Sequence, residues 1–260
     1  MKTSIADQTP YVYAAYEAAL SDEAFENFKQ NPHYQQILEH TSKEHASEYI
    51  TSLMVSSSSH TWRIATQLKN GLHNDRYGNP TMYKYSISDE VVASPSSLRY
   101  AHTLSVMLSL GVLSEGDNIA EIGGGYGGQA VTINQFVPNC KFTMIDLQEA
   151  IALQKRYMET NGLYGNRFVD PFSVETLKDE VFDLVISNYA LSECNREIQT
   201  SYINNILVKA KHGFLTWNFI SEQFGVTTLT VDELKRMLPH KVRVQEEKPK
   251  TGFNNVVIWW

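Results

Sequence analysis

The run Glu121-Ile-Gly-Gly-Gly-Tyr-Gly-Gly128 sits between a predicted strand, Asn118–Ile122, and a predicted helix, Gly127–Phe136. Glycine fills five of the six positions from 123 to 128, more than a turn requires. A strand–loop–helix unit of this kind lets the backbone pass close to a ligand and aims unpaired helix amides at it. It is read here as a cofactor loop, and the fold follows from what surrounds it.

Strand and helix signals alternate around the loop. Further strands are predicted at Lys141–Asp146, Arg167–Val169, Phe182–Asn188 and Gly213–Phe219. Helices are predicted at Ser97–Leu110, Leu147–Asn161 and Arg196–Lys211, the first from Leu98, Ala101, Leu104 and Leu108 on one face and Gly111 at its end. This alternation implies βαβ units and a mostly parallel sheet. Thr230-Val-Asp-Glu233 is a capping box opening a helix to Leu238. Two last strands, Lys241–Glu246 and Asn254–Trp260, are joined by Glu247-Lys-Pro-Lys-Thr-Gly-Phe253, too short for a helical crossover. They should form an antiparallel hairpin. The expected fold class is therefore α/β, a Rossmann-like seven-stranded sheet of the class I methyltransferase type, rather than a six-stranded parallel dinucleotide fold.

Residues 1–92 read as a mostly helical extension to the domain at 93–260. Helices are predicted at Tyr11–Lys29, His33–Met54 and Thr61–Leu72, with breaks at Asn31-Pro32 and Ser56-Ser-Ser-Ser59. Asp75 to Pro80 is turn-rich, and Met82–Ser88 is a tyrosine-bearing connector. The chain has 260 residues, 42% hydrophobic and 20% charged, enough for a sizeable core. Its net charge of −7 offers no large basic footprint; Lys235, Arg236, Lys241 and Arg243 are interleaved with Asp232, Glu233, Glu246 and Glu247. No nucleic-acid partner is expected. No apolar run approaches the ~20 residues of a membrane span. The stretch Met1 to Asp7 lacks a signal-peptide core, so a cytoplasmic location is expected. Cys140 and Cys194 lie in apolar surroundings without metal spacing and are expected as buried thiols in a reducing compartment.

The glycine run alone fits two cofactors. Gly123, Gly125 and Gly128 match the G-x-G-x-x-G dinucleotide fingerprint, whereas Gly123, Gly125 and Gly127 match the tighter methyltransferase form. Glu121 separates the readings, because nicotinamide-binding loops carry an apolar residue there, whereas an acid organises the loop near a methionine amino group. Asp146, 25 positions after Glu121 at a strand end, is placed to accept from ribose hydroxyls or to cap the next helix. The predicted cofactor is S-adenosylmethionine, giving S-adenosylhomocysteine as product. It is assigned to Glu121, Gly123, Gly125, Tyr126, Gly127, Asp146 and Leu147, with Asp170 and Phe172 at the adenine and Ser187 and Asn188 near the sulfonium. The adenine assignment competes with a simple turn at Pro171.

Four stretches carry a family resemblance: Ser94-Pro-Ser-Ser-Leu-Arg-Tyr100, Glu121 to Gly128, Ser187-Asn-Tyr-Ala-Leu-Ser-Glu193 and Asn254-Asn255. From Tyr83 to Trp260 the chain resembles the sugar O-methyltransferases of bacterial and large-virus glycan pathways. The resemblance implies methyl transfer to a hydroxyl of a sugar or glycan acceptor, a deoxyhexose such as rhamnose or fucose. It also implies that the chain is a domain fused behind glycosyltransferase domains in some large algal viruses, working then in the host cytoplasm. An alcohol attacking a methyl group needs alignment and a proton acceptor. Glu193 is the first candidate base and His102 the second. Arg99 and Tyr100 are candidates for a cofactor carboxylate or sugar phosphate, Asn218 and Asn254 for sugar hydroxyls, and Tyr189, Tyr83 and Trp217 for flat sugar faces. No histidine spacing suggests a metal ligand set, and dependence on a divalent metal stays open. The N-terminal helices are expected either to cover the acceptor site or to make a homodimer contact. Rival readings are methyl transfer to a phenol, polyketide or amine, and an NAD-dependent oxidoreductase.

Overall fold

The computed structural model describes residues 4–6, 9–56, 58–86 and 90–260. The expectations that touch Met1–Thr3, Asp7, Ser57 and Ile87–Ser88 lie outside the described residues in those parts. At the centre is a seven-stranded sheet. Its strands are β3 (Asn118–Ile122), β4 (Lys141–Ile145), β5 (Arg167–Val169), β6 (Leu184–Asn188), β7 (His212–Trp217), β8 (Arg243–Glu246) and β9 (Val256–Trp259). The order across the sheet is β5-β4-β3-β6-β7-β9-β8. The first five run parallel. The predicted hairpin is present, and β9 lies antiparallel between β7 and β8, pairing Trp217 with Val256 on one side and Glu246 with Val256 on the other.

The central strands are apolar on both faces because helices cover both. Successive residues of a strand point to opposite sides. Ile119, Leu184, Ile186 and Phe214 thus enter one core, whereas Ala120, Val185 and Leu215 enter the other. The second core is closed by α9 (Arg196–Asn205) and α10 (Val231–Met237). Thr230 and Glu233 form the expected reciprocal capping box on α10. The helix expected to reach Lys211 stops at Asn205, where Ile206 leaves helical geometry, and a 3-10 turn Leu207–Lys209 follows.

The first core is covered by α6 (Pro95–Leu110), α7 (Gly128–Phe136), α8 (Gln148–Thr160) and the N-terminal helices. Ser94 caps α6 at Ser97 N (3.3 Å), and Gly111 ends it in left-handed geometry. The N-terminal third is more segmented than periodicity predicted. Tyr11–Lys29 divides into α1 (Tyr11–Leu20) and α2 (Asp22–Asn27), because Ser21 turns extended and caps Ala24 N at 3.3 Å. His33–Met54 divides into α3 (Pro32–Gln35) and α4 (Lys43–Val55), the latter capped by Ser42 on His45 N at 3.2 Å. The third helix is α5 (Ser59–Gln67), shorter than Thr61–Leu72 at its end. The connector instead contains a strand, β1 (Tyr83–Ser86), paired antiparallel with β2 (Glu90–Ala93). Cys140 and Cys194 are half-buried, not buried.

Candidate functional site

A cavity of about 1000 Å³ opens along the carboxyl edge of the parallel strands. Ligands of open α/β sheets bind at this edge. Its floor is Glu121–Gly125, Ile145–Leu147 and Asn188–Ala190, and its far wall is Asn218–Ile220 with the β8–β9 loop. The roof comes from the N-terminal segment, including Ile5, Tyr11, Leu38, His40 and Tyr49. That segment therefore covers the cleft. Tyr11, Phe28, Tyr34, Tyr49, Leu68 and Val91 share one hydrophobic core with the sheet.

At Gly123 the backbone is left-handed (φ +72°), and a Cβ would sit 2.0 Å from Ala190 Cβ. Only glycine lets the chain after β6 come this close. Glu121 at the loop's start lines the cavity, yet is 3% exposed, and its Oε2 has no hydrogen-bond partner. Burial first, and the charge of Asp146 second, push its carboxyl up to about 8. Asp146 also lines the cavity, but its carboxylate is largely engaged. Oδ2 accepts from Gly125 N (3.2 Å) and Gln154 Nε2 (2.7 Å), and Oδ1 from Leu147 N (2.8 Å). A carboxylate has about four acceptor positions, so about one remains for a ribose hydroxyl. Burial raises this carboxyl to about 6, against those bonds.

Four predicted cofactor contacts do not reach the cavity. Tyr126 turns inward and is fully buried among Phe28, Tyr34, Tyr100 and Tyr157, with Lys29 Nζ 4.7 Å above its ring. Gly127 faces Met158, whose Cγ would lie 2.8 Å from an added Cβ. Ser187 is buried, its Oγ donating to Ile122 O (3.0 Å) and accepting from Leu191 N (3.0 Å), which ties β6 to β3. Asp170 caps the 3-10 turn Pro171–Leu177 through Phe172 N (2.8 Å). Phe172 itself lines the cavity, as do Gly125, Leu147 and Asn188.

The acceptor side brings together most of the remaining candidates. Glu193 Oε1 accepts from Asn218 Nδ2 at 2.6 Å, and burial raises its carboxyl above the usual range. His102 lies on the α6 wall, its ring 5.1 Å from that of Tyr49, and burial lowers it to about 4. The Arg99 guanidinium rests between the faces of Tyr100 (5.5 Å) and Tyr189 (6.0 Å), with Nη2 donating to Leu38 O at 3.4 Å. It forms no ion pair with a carboxylate among the described residues. Asn188 Oδ1 accepts from Thr216 Oγ1 (3.0 Å), and Asn254 is exposed at the rim with φ +60°. Tyr100 lines the cavity too, whereas Trp217 is core and Tyr83 lies elsewhere, under Lys43.

Tyr189 adopts φ +67° and donates its hydroxyl to Glu247 Oε1. Glu247 also accepts from Thr251 N (3.2 Å), Thr251 Oγ1 (2.5 Å) and Asn255 Nδ2 (3.2 Å). Sequence reading missed Glu247, Thr251, Tyr49, His40 and His45 as cavity residues. The signal for Glu247 was topological, since a hairpin whose second strand runs antiparallel to β7 must put its loop at the carboxyl edge. Among the described residues, no group of three or more His, Cys, Asp or Glu is placed to hold a metal, and no helix is long and apolar enough to cross a membrane.

The strand order with its antiparallel last pair decides the architecture. The fold is that of a class I methyltransferase. Residues 103–216 match the family model of the methyltransferase small domain, a span from the middle of α6 to the end of β7. No curated protein matches the chain in sequence. Solved structures of similar fold include TrmN from Thermus thermophilus, 17% identical, with a TM-score of 0.45, covering 65% of this chain and 55% of that one. Another is the precorrin-6y C5,15-methyltransferase from Geobacter metallireducens, at 17% identity and TM-score 0.43, covering 64% of this chain and 87% of that chain. A mutant of MtNAS in complex with S-adenosylmethionine is 12% identical with a TM-score of 0.46, covering 96% of this chain and 86% of the other.

S-adenosylmethionine is the cofactor of this class I fold, and the cleft has parts that fit it. The orphaned buried Glu121 oxygen would suit the methionyl ammonium, the remaining acceptor position of Asp146 a ribose hydroxyl, and the exposed Phe172 ring the adenine.

Proposed function

We propose that this chain is an S-adenosylmethionine-dependent O-methyltransferase whose acceptor is a hydroxyl of a sugar, a deoxyhexose in a glycan or glycoside. The observation that carries the reading is the Glu193–Asn218 pair facing the acceptor side of the cavity, close to the end of β6. Around it the cavity offers Asn188, Tyr189, Thr251, Asn254 and Asn255, amides and hydroxyls suited to a polyhydroxylated molecule. The cofactor supplies an electrophilic methyl on a sulfonium. Glu193 accepts the proton of the attacking hydroxyl, while Asn218 fixes the carboxylate's orientation through Oε1 and leaves Oε2 for the substrate. A base raised in affinity for protons by burial, and held in position, contributes ~10²–10⁴-fold. His102, neutral above about 4, is the second proton acceptor on the same cavity.

The test is a methyl-transfer assay on defined rhamnosides and fucosides beside phenols, with product linkage analysed and a chelator arm in parallel. Glu193→Gln is expected to lower turnover by ~10²-fold or more while cofactor affinity changes little. Turnover of the wild type should fall in acid at a pH above the usual carboxylate range, because the base must be deprotonated and burial raises it. Transfer to phenols alone would overturn the sugar reading, and a wild-type rate for Glu193→Gln would move the base to His102.

A further inference from the structure

Four large apolar side chains of the segments after β7 and before β9 stand exposed on the acceptor side of the cavity: Phe219 (48%), Ile220 (37%), Phe224 (46%) and Phe253 (89%). Their neighbourhood follows from strand register. Trp217 at the end of β7 pairs with Val256 at the start of β9. The chain leaving β7 and the chain entering β9 therefore start side by side, so Phe219, Ile220 and Phe253 all line the cavity from this edge of the sheet. Phe172, also exposed and lining the cavity, follows β5 at the opposite edge of the sheet and belongs to the cofactor side.

Clustered exposed apolar groups at a cavity mouth mark a binding surface rather than a surface average. A phenyl ring covers a large area, and each methylene removed from water contributes about 0.8 kcal/mol. The exposed polar neighbours on this rim include the amides Gln223, Gln245 and Asn254 and the ammonium-bearing Lys248, whereas the cavity's carboxylates Glu121, Asp146, Glu193 and Glu247 are buried or half-buried. An occupant here is continuous with whatever enters the cavity, so it is the outer part of the acceptor. We propose that Phe219, Ile220 and Phe253 form a shelf for an apolar aglycone, and that the acceptor is an amphipathic glycoside rather than a free sugar. The proposal rests on the sugar reading above and specifies what the sugar is attached to.

The experiment compares kcat/KM for methyl and octyl glycosides of rhamnose and fucose, in the wild type and in the double variant Phe219→Ser, Phe253→Ser. Both side chains are exposed, and cofactor affinity checks that the variant is folded. The wild type is expected to favour the octyl glycoside by about tenfold or more, since one buried methylene is worth about fourfold. In the double variant that ratio should collapse towards one. Equal kcat/KM for the two glycosides in the wild type overturns the shelf and leaves the sugar reading standing. An octyl preference that survives the double variant likewise overturns it. Transfer to neither glycoside, with cofactor bound, overturns the sugar reading and the shelf together. A wild-type dimer that the double variant dissolves assigns the patch to a second copy of the chain and overturns the proposal.

Discussion

At Glu121 a carboxyl group is held almost fully out of water with one oxygen unpartnered, in the field of Asp146. With its folded value near 8, the group is largely protonated at neutral pH in the cofactor-free protein. A cation placed beside it favours the charged form. Binding of the methionyl ammonium should then expel a proton, and affinity should strengthen as pH rises towards 8, by at most about tenfold per pH unit. Glu121→Gln should weaken binding and flatten the profile. Calorimetry in buffers of different ionisation enthalpy counts the proton directly, and a flat wild-type profile would mean that no cation sits at this oxygen. The stability contributed by this group moves with pH in the opposite direction to the affinity. An unfolded Glu loses its proton near 4.5, so between 4.5 and about 8 the folded state holds a proton that the unfolded state has lost. Stability contributed by this group therefore declines as pH rises through that window. Asp146, raised to about 6, adds a decline of the same sign at lower pH.

Between elements, the decisive contact joins the turn after β6 to the β8–β9 loop. Tyr189 holds φ +67°, a costly geometry for a side chain of this size, and its hydroxyl reaches Glu247, which the loop's own Thr251 and Asn255 also grip. Tyr189→Phe removes one donor from a buried carboxylate. The expected cost is about 1–3 kcal/mol, seen as a lower melting temperature and as faster amide exchange confined to residues 248–255. Unchanged exchange there would show that the loop is held by Thr251 and Asn255 alone. This contact also marks where sequence legibility ended. Strands such as Lys141–Ile145 and Leu184–Asn188 were readable because a buried parallel strand announces itself as a short apolar run. The breaks at Ser21 and Ser42 were not, because a serine inside a helical pattern becomes a cap only when tertiary packing turns the chain. The β1–β2 pair depends on a partner that periodicity does not reveal. In the site, Glu121, Asp146, Glu193 and Asn218, singled out by residue type for cofactor, base and sugar roles, all line the one cavity at the carboxyl edge. Tyr126 and Ser187 turn into the core instead of lining the cavity, a difference in side-chain direction that residue type does not reveal.

Across the whole molecule, the N-terminal helices and the cofactor loop lean on the same aromatic packing. Phe28 and Tyr34 from the N-terminal third meet Tyr126 of the glycine loop at 5.4 and 6.3 Å, and Phe28 meets Tyr157 of α8 at 5.9 Å. Lys29 is buried beneath these rings and donates to Asn74 O, while Asn74 Nδ2 donates to Gly128 O at 2.8 Å. Arg156 of α8 donates to Ser21 O at 3.0 Å. Removing residues 1–92 would expose Leu98, Tyr100, Tyr126 and Tyr157 together and strip the roof from the cavity. Aromatic residues bury about 150–250 Å² each, so a loss on this scale exceeds what a marginally stable domain tolerates. Residues 93–260 expressed alone are therefore expected to bind a hydrophobic dye, to melt without a sharp transition and to lose cofactor binding, whereas the full chain melts in one step. Calorimetry and dye fluorescence on the two proteins decide it. A fragment that melts cooperatively and holds the cofactor as the whole chain does would make the first 92 residues a separable cap, and the orientation of the glycine loop would then be set by the sheet alone.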